Sequence, residues 1–355
     1  MMKIMFVIGT LSNGGAERVI SVLAKEFSEN GNEVSIVTLY DQKNTYLKEK
    51  NIRLFSIDHK RKNRLWRAIE NIGGLRTLIQ RKKPEIVISF VWQINIYSIF
   101  ASMFTKTKLI ISERNDPLQD PKKKYLRKVR DFMYFFSEGY VFQTENAKNY
   151  FSKKIKDKGI IIPNPIKTDL PYWNSKNNNK TIITACRLMK QKNLPMLIDA
   201  FEKISVDYPD YILKIFGEGE LRQELTSYIS EKGLSSKVLL PGFSENIHQE
   251  MEKSSLFAIS SDYEGISNAM LEALAIGIPV VSTDTPTGGG RMFIKNGKNG
   301  FLVEVGNVDE FAIAIRNIIS NENFAVHFPS ESHKIRKQLS PKTIADQWLE
   351  YSLHL

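Results

Sequence analysis

Twice along this chain, short apolar runs alternate with helical periodicity, and that alternation limits the architectures open to it. Lys3–Ile8 reads as a strand, and Val19, Ile20, Leu23, Ala24 and Phe27 then recur at helical spacing within Glu17–Phe27. Glu33–Leu39 reads as a strand, Arg64–Gln80 as a helix, and Ile86–Phe90, Leu109–Ser112 and Tyr140–Gln143 as further strands. Strands separated by helices form βαβ units, which pair in parallel. The run Ile160-Ile-Ile-Pro-Asn-Pro-Ile166 breaks the pattern, because two prolines around Asn164 suit neither a helix interior nor a central strand. The polar stretch Lys167–Lys180, with Asn177, Asn178 and Asn179 near its end, reads as a linker.

The alternation then restarts. Strands are expected at Thr181–Cys186, Ile212–Phe216, Val238–Leu240, Leu256–Ile259, Pro279–Ser282 and Phe301–Val303. Helices are expected at Asn193–Ile204, Leu221–Glu231, Asn268–Ile276 and Val308–Ile319. Ser340-Pro341 supplies an N-cap and first-turn proline for a last helix through Tyr351. The expectation is α/β: domains over 1–165 and 166–338, and a terminal helix over 339–355. With 355 residues, 42% of them hydrophobic, the chain can bury two cores, and its composition excludes disorder as the main state. Ligands of such sheets sit at the carboxyl ends of strands, so a cleft between the domains is the expected site.

Cys186 is the one cysteine, which excludes an internal disulfide and suits a reducing compartment. His59, His248, His327, His333 and His354 show no metal-ligand spacing, so no protein-bound metal is expected. Ile4–Ile8 is too short for a signal peptide before Gly9 and the Asn13-Gly14-Gly15 turn. Ile86–Thr105 lacks charge and has the length of a membrane span, but Ser89, Gln93, Asn95, Ser98, Ser102 and Thr105 favour a buried strand, a loop and a buried helix.

Fifty Lys and Arg against 39 Asp and Glu give a net charge of +11, which points to an anionic partner or to a plain compositional bias. The excess gathers at Lys60, Arg61, Lys62, Arg64, Arg67, Arg76, Arg81, Lys82 and Lys83, and again at Lys122, Lys123, Lys124, Arg127, Lys128 and Arg130. Trp66, Phe132, Tyr134, Phe135 and Phe136 lie close by. Basic residues beside aromatics suit an anionic membrane surface; nucleic acid and a solvated basic face are the alternatives.

Three segments carry chemistry. Gly14 and Gly15, between the first strand and first helix, permit a tight turn and bring helix-start amides to an anion, or serve as a turn only. Arg187 and Lys192 follow the first strand of the second half, where two cations can clamp a diphosphate or simply line an exposed loop. In Ser261-Asp-Tyr-Glu264-Gly-Ile-Ser-Asn-Ala-Met-Leu-Glu272-Ala-Leu-Ala275, a helix starting near Ser267 is apolar nearly all round yet contains Glu272. A carboxylate buried there needs a partner. Ribose hydroxyls would serve, and so would a structural ion pair with Arg or Lys.

Glu264 and Glu272, with seven residues between them, resemble the Glu-x7-Glu motif of retaining GT-B glycosyltransferases of family 4. Gly14-Gly-Ala-Glu-Arg18, Ser112-Glu-Arg-Asn-Asp-Pro117, Ile162-Pro-Asn-Pro165, Arg187-Leu with Gln191-Lys-Asn193, Phe216-Gly-Glu-Gly219, Pro241-Gly-Phe243 and Asn296-Gly-Lys-Asn-Gly-Phe-Leu302 resemble that family too, in the right order over nearly the whole chain. The resemblance implies two Rossmann-like domains facing across a cleft, with the last helix crossing back to the first. The first domain would lie on the acceptor side and the second would hold the nucleotide-sugar donor. It assigns Arg187 and Lys192 to the diphosphate, Glu272 to ribose, Glu264 to the transferred sugar and the amides near Ser267 and Asn268 to phosphate. Gly217 would line the nucleotide site, and Gly242 and Phe243 would flank the base. Two departures stand out: Glu113-Arg-Asn-Asp116 occupies a loop where many relatives carry histidine, and Met292 follows Gly288-Gly-Gly-Arg291 where many carry glutamate.

The expected function is sugar transfer, with retention, from a nucleotide sugar, taken as UDP-linked, to a lipid-linked or glycan acceptor in cell-surface glycan synthesis. No Asp-x-Asp triplet occurs. Two cations at the diphosphate would make a metal unnecessary, and no cofactor is expected. The expected location is cytoplasmic, peripheral on the inner face of the membrane, without nucleic acid as partner. The alternatives are a GT-B-type nucleotide-sugar isomerase or phosphorylase, and a basic nucleic-acid-binding protein.

Overall fold

A computed structural model describes residues 1–12, 14–40, 51–57, 59, 63–174, 179–321 and 328–355. The expectations placed on Asn13, on Lys60, Arg61 and Lys62, on Asn177 and Asn178 and on His327 lie outside the described residues. The chain forms two compact units, Met1–Pro165 with Leu339–Leu355, and Ile166–Gln338.

The first unit runs β1 (Lys3–Ile8), α1 (Gly15–Glu29), β2 (Glu33–Thr38), β3 (Arg53–Ser56), α2 (Arg64–Lys82), β4 (Ile86–Phe90), α3 (Trp92–Ser102), β5 (Lys108–Ser112), α4 (Lys124–Tyr134), β6 (Gly139–Phe142), α5 (Glu145–Asn149), α6 (Lys153–Asp157) and β7 (Gly159–Ile161). The strands form one parallel sheet in the order β3-β2-β1-β4-β5-β6-β7. Central strands in such a sheet are covered on both faces, which is why Ile4–Ile8 and Ile86–Phe90 are apolar almost throughout and buried along their length. The order reverses at β1, so the crevice beyond the ends of β1 and β4 is this sheet's topological switch point. Gly14 is the N-cap of α1, and Gly15 is its first residue.

The second unit contains β8 (Thr181–Ala185), α7 (Leu194–Asp207), β9 (Ile212–Phe216), α8 (Arg222–Glu231), β10 (Val238–Gly242), α9 (Ile247–Glu252), β11 (Leu256–Ile259), α10 (Asn268–Ile276), β12 (Val280–Thr283), β13 (Gly300–Val303), α11 (Val308–Ile319) and α12 (Phe328–Gln338). Its sheet is also parallel, in the order β10-β9-β8-β11-β12-β13. Leu197, Phe201, Leu213, Ile215, Ala258, Phe311 and Ile315 meet in one of its cores. The final helix, α13 (Pro341–Leu353), belongs to the first unit. Trp348 is fully buried, its ring stacked on Phe90 at 5.7 Å. The Tyr140 amide donates to the Tyr351 hydroxyl at 2.8 Å, and that hydroxyl donates to the Lys158 carbonyl.

Several details differ from the sequence reading. Ile160 and Ile161 do not end the first sheet but form its edge strand β7, before the prolines. Arg53–Ser56 adds β3 at the other edge. Between Ile86–Phe90 and the following helix lies no loop but a single residue, Val91, at φ 76°. That value is far outside the usual range of a β-branched residue. No helix among the described residues is long and apolar enough to cross a membrane.

Part of the basic surface is also drawn inward. Arg130 is wholly buried, where it pairs with Asp131 at 2.8 Å and lies 3.8 Å from the Glu113 carboxylate. Arg76 donates to the Met103 carbonyl at 2.8 Å, and Arg67 lies over the Tyr40 ring. Tyr134 is buried as well: its hydroxyl donates to Glu113 at 3.1 Å and accepts from the Asn95 amide at 2.9 Å. Beside this network Arg114 stacks on Phe90 at 4.0 Å and donates to Asn164 at 3.0 Å. Burial lowers its affinity for the proton, opposed by the charge of Glu113. So Glu113 and Arg114, at the first of the two departures, help to build a buried charge network around the end of β5.

Burial pushes the Glu113 carboxyl up to about 7, against the pull of Arg130. An acid with a raised folded pKa ionises first in the unfolded chain, so its contribution to stability falls as pH rises from about 4.5 to about 7 and stays low above that. The Glu113→Gln variant lacks this loss. Its melting temperature relative to wild type is therefore expected to rise by a few degrees between pH 5 and pH 8. Thermal unfolding at both pH values checks this, and a flat or opposite trend would remove the assignment.

Candidate active site

In the second unit the loops at the carboxyl ends of β8 and β11 are laced together. After β8 the chain passes through Cys186–Met189 and a single 3-10 turn, Lys190–Lys192, to Asn193. Asn193 takes a left-handed conformation (φ 42°) and caps α7 through its side chain, which accepts from the Met196 amide. Its Nδ2 donates to Asp262 at 2.7 Å, the Asp262 amide donates to the Gln191 carbonyl at 2.9 Å, and Ser260 Oγ donates to the Lys192 carbonyl at 2.8 Å. Gln191 Nε2 donates to the Tyr263 carbonyl at 2.7 Å. These bonds fix the turn that presents Lys192 against the loop that presents Glu264.

Lys192 Nζ forms an ion pair and hydrogen bond with Glu264 Oε1. Ser261 Oγ donates to the same oxygen at 3.1 Å, and Gln191 Nε2 lies 3.4 Å from the other. Thr287 Oγ1 donates to the Glu264 carbonyl. Burial lowers the Lys192 ammonium, but the Glu264 carboxylate outweighs it and leaves the pKa above the usual lysine value, so Lys192 is a cation at neutral pH. Burial pushes the Cys186 thiol up to about 11, which leaves it protonated and unreactive. Arg187 is exposed one residue beyond Cys186, near enough for its charge to oppose that of Lys192.

Cys186, Lys192, Ser260, Ser261 and Ser267 line one small pocket. Ser267 is the N-cap of α10 and accepts from the Met270 amide at 3.3 Å, so this helix begins at the pocket with Asn268 as its first residue. The positive end of α10 and the Lys192 ammonium therefore share a place.

Glu272 lies inside α10, 3% exposed, among side chains that are all buried from Met270 to Ile276. The ion-pair alternative named Arg or Lys; the structure instead places His248 of α9 there, with Nε2 at 3.0 Å from Glu272 Oε2. At the end of β9, Gly217 (φ 127°) lies so close to the Cys186 carbonyl that a Cβ would stand 1.9 Å from that oxygen, so only glycine fits. The Gly217 amide donates to the Gly242 carbonyl at 2.9 Å, and Phe243, which follows, is 62% exposed. At the second departure, Arg291 pairs with Asp284 at 2.7 Å and Met292 is exposed.

Lys192, Glu264, Ser267 and Asn268 thus come together at one edge of the second sheet, with Arg187 beside them and Gly217 and Gly242 joined at the neighbouring strand ends. Gly14 and Gly15 belong to the other unit. Sequence reasoning missed Gln191, Ser261, Thr287 and His248 as partners of the two glutamates. For Ser261 a signal existed: Ser260-Ser261-Asp262 is a polar run directly after an apolar strand. Among the described residues no group of three or more His, Cys, Asp or Glu side chains is arranged to hold a metal ion.

Comparison with known proteins matches residues 166–336 to the family model described as Glycosyl transferases group 1, and residues 13–170 to Glycosyltransferase Family 4. The chain is 28% identical to the GalNAc-α-(1→4)-GalNAc-α-(1→3)-diNAcBac-PP-undecaprenol α-1,4-N-acetyl-D-galactosaminyltransferase of Campylobacter jejuni, over 99% of this chain and 98% of that one. It is also 28% identical to the N-acetylgalactosamine-N,N'-diacetylbacillosaminyl-diphospho-undecaprenol 4-α-N-acetylgalactosaminyltransferase of the same organism, over 99% and 100% of the two chains. Its fold matches Anabaena Alr3699/HepE, solved with UDP and glucose, at a TM-score of 0.85 and 20% identity, with both chains covered completely. The two consecutive family matches and the two parallel Rossmann-like sheets agree: the chain belongs to the glycosyltransferases of family 4, with the GT-B fold.

Proposed function

We propose that this glycosyltransferase moves a sugar from UDP to a lipid-linked or glycan acceptor of bacterial cell-surface glycan synthesis, with retention of anomeric configuration. The observation that carries the donor site is the Lys192–Glu264 pair held beside the capped start of α10. Arg187, Lys192 and the amides at Ser267 and Asn268 take the donor diphosphate, Glu264 the hydroxyls of the transferred sugar, and Glu272 the ribose. Gly217 admits the nucleotide closely, and Gly242 and Phe243 flank the base. A solved relative of the same fold holds UDP, and two relatives in sequence are named for undecaprenyl diphosphate acceptors, which supports UDP as leaving group and a lipid-linked acceptor. Family membership favours this reading over an isomerase, a phosphorylase or a nucleic-acid-binding protein.

In the reaction the bond between the sugar's anomeric carbon and the β-phosphate oxygen breaks, and the acceptor oxygen forms its bond on the same face. The acceptor proton passes to the departing phosphate oxygen. Negative charge grows on the diphosphate, and Arg187, Lys192 and the start of α10 are set to stabilise it before it appears. Lys192, held by Glu264, with Arg187 and a helix start beside it, does the work a metal does elsewhere, so the reaction needs no metal or cofactor. The first unit, with Gly14 and Gly15 at its switch-point loop, is assigned to the acceptor.

The same unit is proposed to rest on the inner face of the cytoplasmic membrane. Tyr125, Val129, Phe132 and Phe136 are exposed along and just beyond α4, among exposed Lys122, Lys123, Lys124 and Lys128. Leu65, Trp66 and Ile69 are exposed at the start of α2 beside Arg64. An apolar stripe rimmed by cations suits an anionic bilayer surface.

Thermal-shift measurement with UDP, GDP and single-stranded DNA tests the donor, because a ligand bound only by the native state raises stability. Stabilisation by UDP alone is expected; stabilisation by DNA alone would discard the reading.

Arg187→Ala and Lys192→Ala are each expected to lower turnover by about two to three orders of magnitude, since each removes a cation aimed at the leaving group. Arg187 is exposed, so its variant keeps the wild-type melting temperature. Lys192→Ala leaves Glu264 without its cation and melts a few degrees lower. Near-wild-type rates in both would remove the diphosphate assignment.

Reversing the charge of Lys122, Lys123, Lys124, Arg127 and Lys128 is expected to abolish co-sedimentation with anionic vesicles while leaving UDP binding intact. Wild-type binding to those vesicles should weaken as salt rises, given screening over about 8–10 Å at physiological ionic strength. Equal binding to neutral vesicles would show that charge is not what holds the protein there.

A further inference from the structure

We infer that His248 positions Glu272 for recognition of the donor ribose, and so is a specificity-determining residue that acts through Glu272. The inference rests on the ribose assignment of Glu272 proposed above. Both side chains are buried, His248 at 7% and Glu272 at 3% exposure, and they meet at 3.0 Å across the contact between α9 and α10. With Glu272 ionised the carboxylate only accepts, and the proposed bond is then donated by His248 Nε2 to Oε2. A carboxylate accepts about four hydrogen bonds, so this one does not exhaust its capacity to meet sugar hydroxyls.

The bond restrains the carboxylate group of a long, flexible side chain that lies among buried residues from Met270 to Ile276. A carboxylate held in one orientation discriminates between nucleosides with and without a hydroxyl; one free to turn does so less well. Placement strengthens the argument. His248 is five residues beyond Phe243, at the start of the helix that follows β10. The segment assigned to flank the base thus also carries the group that orients the ribose acceptor, and one short stretch of chain couples the two halves of nucleoside recognition.

Calorimetric titration with UDP and with 2′-deoxy-UDP tests this on wild type and on His248→Gln, His248→Asn and His248→Leu. Wild type is expected to prefer UDP by roughly tenfold or more, the effect of a hydrogen bond to a charged acceptor. Glutamine carries an amide N–H near the place of Nε2 and should keep that preference. Asparagine, too short to reach, and leucine, with no donor, should bring the ratio of affinities close to one. A purely structural role would lower the melting temperature and leave the ratio alone. Asparagine and leucine variants that keep the wild-type ratio would overturn the inference while leaving the ribose assignment standing. A wild-type ratio near one would overturn both. Long-range proton–nitrogen spectra of histidine-labelled wild-type protein provide a readout that needs no variant to fold. The Nε2-protonated form should persist and its signals shift when UDP is added, whereas the Nδ1-protonated form at His248 would overturn the inference.

Discussion

Parallel pairing sends the carboxyl end of every strand in a sheet to the same edge, and the chemistry of this protein depends on that. In the second unit the loops after β8, β9, β10 and β11 have no sequence reason to meet; they meet because their strands run the same way. Gly217 then lets the loop after β9 approach that after β8 to backbone contact, and Asn193, Asp262 and Ser260 tie the loop after β8 to that after β11. The ion pair between Lys192 and Glu264, groups far apart in the sequence, follows from this convergence.

That pair also shows how the site can be rigid before a substrate arrives. A charged group in a half-buried place is costly alone and much less so beside its opposite. Lys192 stabilises Glu264 in the resting protein, with Ser261 and Gln191 adding donors to the same carboxylate. In the proposed reaction the ammonium turns part of its field toward the diphosphate, and those neutral donors remain to hold the glutamate. The side chains need not be ordered at the moment of reaction, which is what makes electrostatic stabilisation effective in a site of this kind.

The order of elements was legible in the sequence wherever an apolar run was long or a periodic pattern clean. α10 is the clearest case, because an apolar helix interrupted by a single carboxylate is a strong signal of both burial and purpose. The edge strands were not legible: β3 has four residues, three of them exposed, and β7 has three, so neither shows the apolar run that marks a buried strand. Arg130 and Tyr134 were misread as surface because α4 exposes Val129 and Phe132 while burying their neighbours, a distinction only the packing supplies. The members of the site were visible singly. Their pairing was not, since nothing local marks Lys192 as the partner of Glu264 or His248 as that of Glu272.

The placement of α13 has a consequence for how the protein is made. Residues 339–355 complete the first unit, yet they are translated after all of the second. Until they emerge, the ring of Phe90 lacks its stacking partner Trp348, and the Tyr140 amide lacks the Tyr351 hydroxyl. The second unit is one continuous segment and has no such wait. Domains generally fold from the amino terminus as synthesis proceeds. Here the segment made second can close its core first, while the one made first stays open at one face until the end, a stage at which chaperone binding would have the most to protect.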